Sequence, residues 1–127
     1  MSYISNPPEF RLVVIESPFA HAKGDAVAAA RTMKYLRAAM RDCFSRGEAP
    51  YASHALYTQE GVLDDWIPEQ RMLGITAGFA WGKKAVLRAV YIDLGITSGM
   101  QKGIEEAVLI GQPVEKRTIP GWKEETT

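Results

Sequence analysis

The stretch FRLVVIESPF, residues 10–19, decides the fold. Its centre, Leu12-Val13-Val14-Ile15, is a continuous apolar run of the kind found in a strand covered on both faces, not the alternating pattern of a strand with one wet side. Pro18 disfavours helical backbone at Ser17, so the run is a strand that ends at Glu16 and opens into a loop. A doubly covered strand belongs to a parallel sheet, and parallel neighbours require crossover helices.

Such a helix follows at once. After the loop FAHAKGD, Asp25 is placed to cap a helix that runs to about Arg46. Met33, Leu36, Met40, Cys43 and Phe44 recur along it at three- and four-residue spacing, and Arg31, Lys34, Arg37 and Arg41 form its solvated faces. Gly47 ends it. APYASHALYT (49–58) reads as a short second strand running into a loop. QEGVLDD is then a loop in which Asp65 caps a second helix over Trp66–Trp81, with Pro68 in the first turn where its missing N–H costs nothing. Gly74 and Gly78 lie one turn apart and predict close approach of another backbone. VLRAVYID (86–93) is a third strand and LGITSGM a loop. Ser98-x-x-Gln101 has capping-box spacing for a third helix that stops at Gly111, and PVEKRTI (113–119) is a fourth strand.

The order β-α-β-α-β-α-β predicts an α/β fold: one three-layer Rossmann-like domain over residues 1–127 with a mainly parallel four-stranded sheet. Residues 1–9, with Pro7-Pro8, form an N-terminal arm, and residues 120–127 a C-terminal tail. A chain of 127 residues with 46% apolar and 24% charged side chains has room for one core and no second domain. Its single cysteine, Cys43, on the apolar side of its helix, forms no internal bridge and is expected to be inert. Together with the lack of a leader-like start, it points to a cytoplasmic setting. No apolar run reaches membrane-spanning length, and a formal charge of zero gives no bulk attraction to nucleic acid while easing self-association.

In parallel sheets ligands bind beyond the C-terminal ends of the strands. That places Glu16–Ala20, Ser53–Thr58 and Asp93–Met100 at the candidate site. Phosphate-loop, dinucleotide and nucleophile-elbow motifs are all absent, and His21 and His54 have no partner at metal spacing. What remains is a binding chemistry. Glu16 and Asp93 end strands where a carboxylate can accept from ribose hydroxyls; Ser17, Pro18 and Phe19 offer a hydroxyl, a rigid turn and an aromatic face. His54 and Tyr57 are placed to contact phosphate. Gly95, Ser98, Gly99 and Met100 form a turn leading into a helix start whose free N–H groups hold anions, unless Ser98 merely caps and the glycines merely turn. Tyr51, Trp66 and Trp81 read as core.

LVVIESPFA near the start and AVLIGQPV near the end resemble the nucleoside 2-deoxyribosyltransferase-like superfamily over roughly residues 10–117. The strings RGEAPYASHALYTQEGVLDD, PEQRMLGITAGFAW and VYIDLGITSGMQKGIEEA are most similar to small, mostly phage-encoded domains of that group. In the active enzymes a helix glutamate attacks the anomeric carbon, four residues before an alanine and shortly before a G-x-P turn. Ala107, Gly111 and Pro113 match that frame, and Gly103 then stands at the nucleophile's position, with no side chain to attack. Glu105 and Glu106 lie roughly 200° and 300° further round the helix, so Glu106 returns nearer that face. Asp93 or Glu16 could serve only with another attack geometry.

The resemblance implies a nucleotide or nucleoside-derivative binding protein that needs no cofactor or metal and assembles as a homo-oligomer. One concrete form is a phage counter-defence protein that sequesters a nucleotide immune signal in the host cytoplasm. The alternatives are a deoxyribosyltransferase or nucleotide N-glycosidase using Glu106, Glu105 or Asp93, and a structural or partner-binding protein.

Overall fold

The computed structural model describes residues 9–19 and 24–123. The expectations for residues 1–8, for Ala20 and His21, and for residues 124–127 lie outside it. Eight elements follow one another: β1 (Arg11–Glu16), α1 (Ala26–Ser45), β2 (Glu48–Tyr51), α2 (Ser53–Tyr57), α3 (Pro68–Gly82), β3 (Leu87–Tyr91), α4 (Ser98–Leu109) and β4 (Val114–Arg117). All four strands are parallel, in the order β2-β1-β3-β4. The two central strands are those with continuous apolar runs. Val13, Val14 and Ile15 of β1 and every residue of β3 are buried.

Alternation of side chains divides the sheet into two faces. On one, Val13, Ile15, Leu87, Ala89 and Tyr91 pack against Tyr35, Leu36, Ala39 and Cys43 of α1, and this is the main core. Asp25 caps α1 as expected, its Oδ1 accepting from the Ala28 N–H at 3.0 Å. Phe44 departs from the expected apolar face: it is exposed and meets Phe10 edge-on. A charged network crosses beneath α1. Arg117 donates twice to the fully buried Glu48, at 2.7 and 2.8 Å, and Arg11 donates to the same carboxylate at 2.9 Å. Burial pushes the Cys43 thiol up to about 11, which makes it a poor nucleophile. Trp122, in the expected tail, packs edge-on against Tyr35.

On the other face, Val14, Glu16 and Arg88 meet α3 and α4. Three sequence expectations change here. The stretch 49–58 is no single strand: β2 stops at Tyr51 and residues 53–57 turn into α2, so the order is β-α-β-α-α-β-α-β. Short-range contacts explain the turn, because the Ala55 N–H reaches back to the Ala52 carbonyl and the Thr58 hydroxyl to that of His54. α3 is not capped by Asp65. Its N-cap is Ile67, and Asp65 pairs with Arg71 instead. The cap of α4 is Thr97, not Ser98: its hydroxyl accepts from the Met100 N–H at 3.2 Å, and Met100 Sδ receives the Thr97 N–H at 3.4 Å. Gly111, at φ +72°, follows the helix end as anticipated. Among the described residues no helix is long and apolar enough to cross a membrane.

Candidate functional site

The C-terminal edge of the sheet opens on the α3–α4 side into a cleft of about 160 Å³. Its floor is Glu16. β1 delivers this residue onto the face that α4 covers, and α4 has no side chain at the contact, because Gly103 lies there. A Cβ built on Gly103 would overlap the Glu16 carboxyl carbon and Oε1, and would sit 2.7 Å from Oε2. The carboxyl group therefore fills the volume that any other residue at 103 would claim.

Arg88 of β3 holds this arrangement. Its Nη1 donates to the Gly103 carbonyl at 2.8 Å and to Glu16 Oε1 at 3.3 Å, and its Nε donates to Gln112 Oε1 at 3.0 Å. Gln112 is fixed in turn by donating from Nε2 to the Gly82 and Ala85 carbonyls. Gly82 is required because a Cβ there would lie 2.6 Å from Arg88 Nη2. Burial raises the Glu16 carboxyl from 4.5 to about 7, against the opposing pull of the Arg88 charge. The long contact with Arg88 and a charge-assisted bond already spent on Gly103 explain why the cation does not win. Burial also lowers the Arg88 guanidinium, which Glu16 and Glu106 partly restore.

Beside Glu16, Ser17 Oγ and His54 Nε2 share a hydrogen bond at 3.1 Å, and Phe19 meets the His54 ring edge-on with centroids 5.2 Å apart. Burial drops His54 to about 4, so it is neutral and serves as a hydrogen-bonding group near pH 7. α2 carries His54 and Tyr57 into the wall, and α3 lies close because Gly78 faces Ser53, whose Cβ and Oγ would be 2.8 Å from a side chain there. The close approach predicted from Gly74 and Gly78 is thus an α2–α3 contact. At the far side are Ser98, Gly99 and Met100 in the first turn of α4, with Lys102 just beyond.

Of the residues expected at the site, Glu16, Ser17, Phe19, His54, Tyr57, Ser98, Gly99 and Met100 line one cleft. Pro18 is buried beside it, and Gly95 forms an exposed turn at φ +90°. Asp93 is turned away. Its Oδ2 accepts from the Tyr35 hydroxyl at 2.6 Å and from the Ile119 N–H at 2.9 Å, so it ties the C-terminal segment to α1. Glu105 points to solvent, and Glu106 is half-buried but does not line the cleft. Trp66 and Trp81, expected in the core, are largely exposed, and Tyr51 is half-buried in the cleft wall. Sequence reasoning missed Arg88. The signal was present, because a lone arginine inside VLRAVYID must be buried on both faces and so must find an acceptor.

The surroundings of this cleft agree with comparisons to known proteins. No curated protein matches the chain. A 2-deoxyribosyltransferase from the psychrotolerant bacterium Bacillus psychrosaccharolyticus, described as a biocatalyst for nucleoside synthesis, superposes with TM-score 0.62 at 15% identity, covering 90% of this chain and 77% of that one. The chain therefore has the 2-deoxyribosyltransferase-like fold. Residues 11–117 match the family described as a domain of unknown function, DUF7768, and the chain belongs to that family.

Proposed function

We propose that the chain binds a nucleoside or nucleotide derivative in this cleft, with its sugar against Glu16. The observation that carries the reading is the Glu16 carboxyl, held by Arg88 in the space that Gly103 leaves open. A carboxyl that is about half ionised near neutrality both donates to and accepts from sugar hydroxyls. The fold shared with a nucleoside-handling enzyme supports the choice of ligand class. A sequestering role, including one against a nucleotide signal, requires that the ligand be held intact. The test is to denature the purified protein, identify any released small molecule by mass spectrometry, and incubate nucleosides and deoxynucleoside monophosphates with the native protein in parallel. Intact nucleotide that Glu16→Gln loses agrees with the reading; no retained ligand and no binding to any nucleoside or nucleotide would refute it.

A second reading, cleavage of the glycosidic bond, is favoured by the same overlap. The Glu16 oxygens occupy the volume next to the position where the resemblance places an attacking carboxylate. In that step a Glu16 oxygen bonds to the anomeric carbon while the C–N electron pair leaves with the base, which takes a proton from water. Attack of water on the glycosyl ester then frees the sugar and the carboxylate and returns the proton. Only the ionised form attacks, so base release would rise with pH through about 7. Glu105 and Asp93 face away and cannot take this role.

A further inference from the structure

The cleft at Glu16 is small. Ligand pockets commonly measure about 300–1,000 Å³, and 160 Å³ admits a pentose but not a whole nucleoside. A second chamber of about 640 Å³ adjoins it, formed by the loop between α2 and α3. Phe19, Thr58, Asp65 and Arg71 border both spaces.

This chamber is built by hydrogen bonds within the loop. The Leu63 N–H donates to the Tyr57 carbonyl, the Asp64 N–H to Gln70 Oε1 at 2.7 Å, and the Trp66 N–H to Asp64 Oδ1 at 2.9 Å. Its wall includes the Trp66 ring and the apolar side chains of Val62 and Leu63. Its charge is one-sided. Glu60, Asp64 and Asp65 line it, and the lining cation, Arg71, is bonded to Asp65 at 3.1 Å. An aromatic wall with surplus negative charge suits a flat ring without negative charge and repels phosphate.

We infer that this outer chamber is the subsite for the base of the ligand, an aromatic heterocycle that is neutral or positively charged, while the sugar reaches inward to Glu16. The inference rests on the proposed function and adds the direction in which the ligand lies and the charge its base carries.

Calorimetric titration with two matched pairs tests it: uridine against orotidine, which adds a carboxylate to the same ring, and adenosine against 1-methyladenosine, whose base is cationic. The native chain should bind orotidine roughly tenfold or more weakly than uridine, and 1-methyladenosine at least as well as adenosine. Trp66→Ala should weaken the nucleosides that bind roughly tenfold or more, in line with the loss of base–aromatic stacking. Val62→Trp, on an exposed part of the loop, should fill the chamber and do the same should Trp66→Ala fail to fold. Native protein that binds nucleosides while both variants stay within twofold would overturn the chamber's role and leave the proposed function standing. Native protein that binds none of the four would overturn both, and orotidine binding as tightly as uridine would overturn the charge preference.

Discussion

Glu16 and Gly103 behave as one unit split between a strand and a helix. Gly103→Glu alone would place two carboxyl groups and their side-chain atoms in one volume, so it is expected to lower stability by about 1–3 kcal/mol from overpacking, plus the repulsion of like charges. Combining it with Glu16→Ala should recover much of the loss. Thermal melting of the two single variants and the double variant measures that coupling, and additive effects would refute it. The same residue makes stability depend on pH. Because folding raises Glu16 from 4.5 to about 7, its folded form binds the extra proton, and stability falls as pH rises between those values, by roughly 3 kcal/mol at ~1.4 kcal/mol per pH unit. His54 works in the opposite sense. Folding lowers it from 6.5 to about 4, so stability falls as pH drops through that window. The two slopes offset one another around pH 5–6 in the native chain. Glu16→Gln should unmask loss of stability towards acid, and His54→Gln should unmask loss towards neutral pH. Urea titrations at several pH values would show both, and parallel curves for the three proteins would contradict this account.

Among the elements, α4 and α3 set the cleft's shape by different means. α4 starts at a side-chain cap, so Thr97→Ala should cost about 1 kcal/mol and loosen the first turn that carries Ser98 and Gly99. Urea unfolding at constant pH would measure it. α3 is held through absent side chains. Gly78→Val would drive a side chain into Ser53 and separate α3 from α2, moving His54 and Tyr57. The expected result is weaker nucleoside binding together with a cost of about 1–3 kcal/mol; unchanged binding and melting temperature would mean that the helices adjust freely. These elements also mark how far sequence alone reaches. Apolar runs and the spacing in α1 identified all four strands and the long helix. α2 escaped because five residues of SHALY are too few to show helical periodicity, and its backbone bonds compete evenly with an extended form. The caps of α3 and α4 were each misplaced, since several polar residues in a row can cap and only the chain path selects one.

At the level of the whole molecule, a second buried polar layer joins the sheet's outer strands. Hydrogen bonds from Arg117 hold the Glu48 carboxyl below its ordinary range in spite of burial, and Glu48 raises Arg117 in return. Arg117→Met strands that carboxylate among apolar neighbours and should cost about 3–5 kcal/mol, whereas replacing both partners with apolar residues should cost much less. A double-mutant cycle in urea checks it, and equal losses in the single and double variants would contradict it. This layer lies on the α1 face, opposite the cleft, so the single variant should lower stability without changing nucleoside affinity in the molecules that remain folded.

The sequence alone determined the architecture, because burial of a parallel strand on both faces demands continuous apolar residues and a crossover helix, and both leave patterns within a few neighbouring positions. It also placed most of the cleft's lining, since strand ends at one edge of a parallel sheet must converge. Tertiary structure alone decided the chemistry. Asp93 and Glu16 both follow apolar strands, yet one faces Tyr35 under α1 and the other faces Gly103 under α4, a choice made by which side of the sheet each helix covers. The partnership of Glu16, Arg88 and Gly103 spans 87 residues of chain, and its near-neutral titration comes from the burial that only their meeting creates.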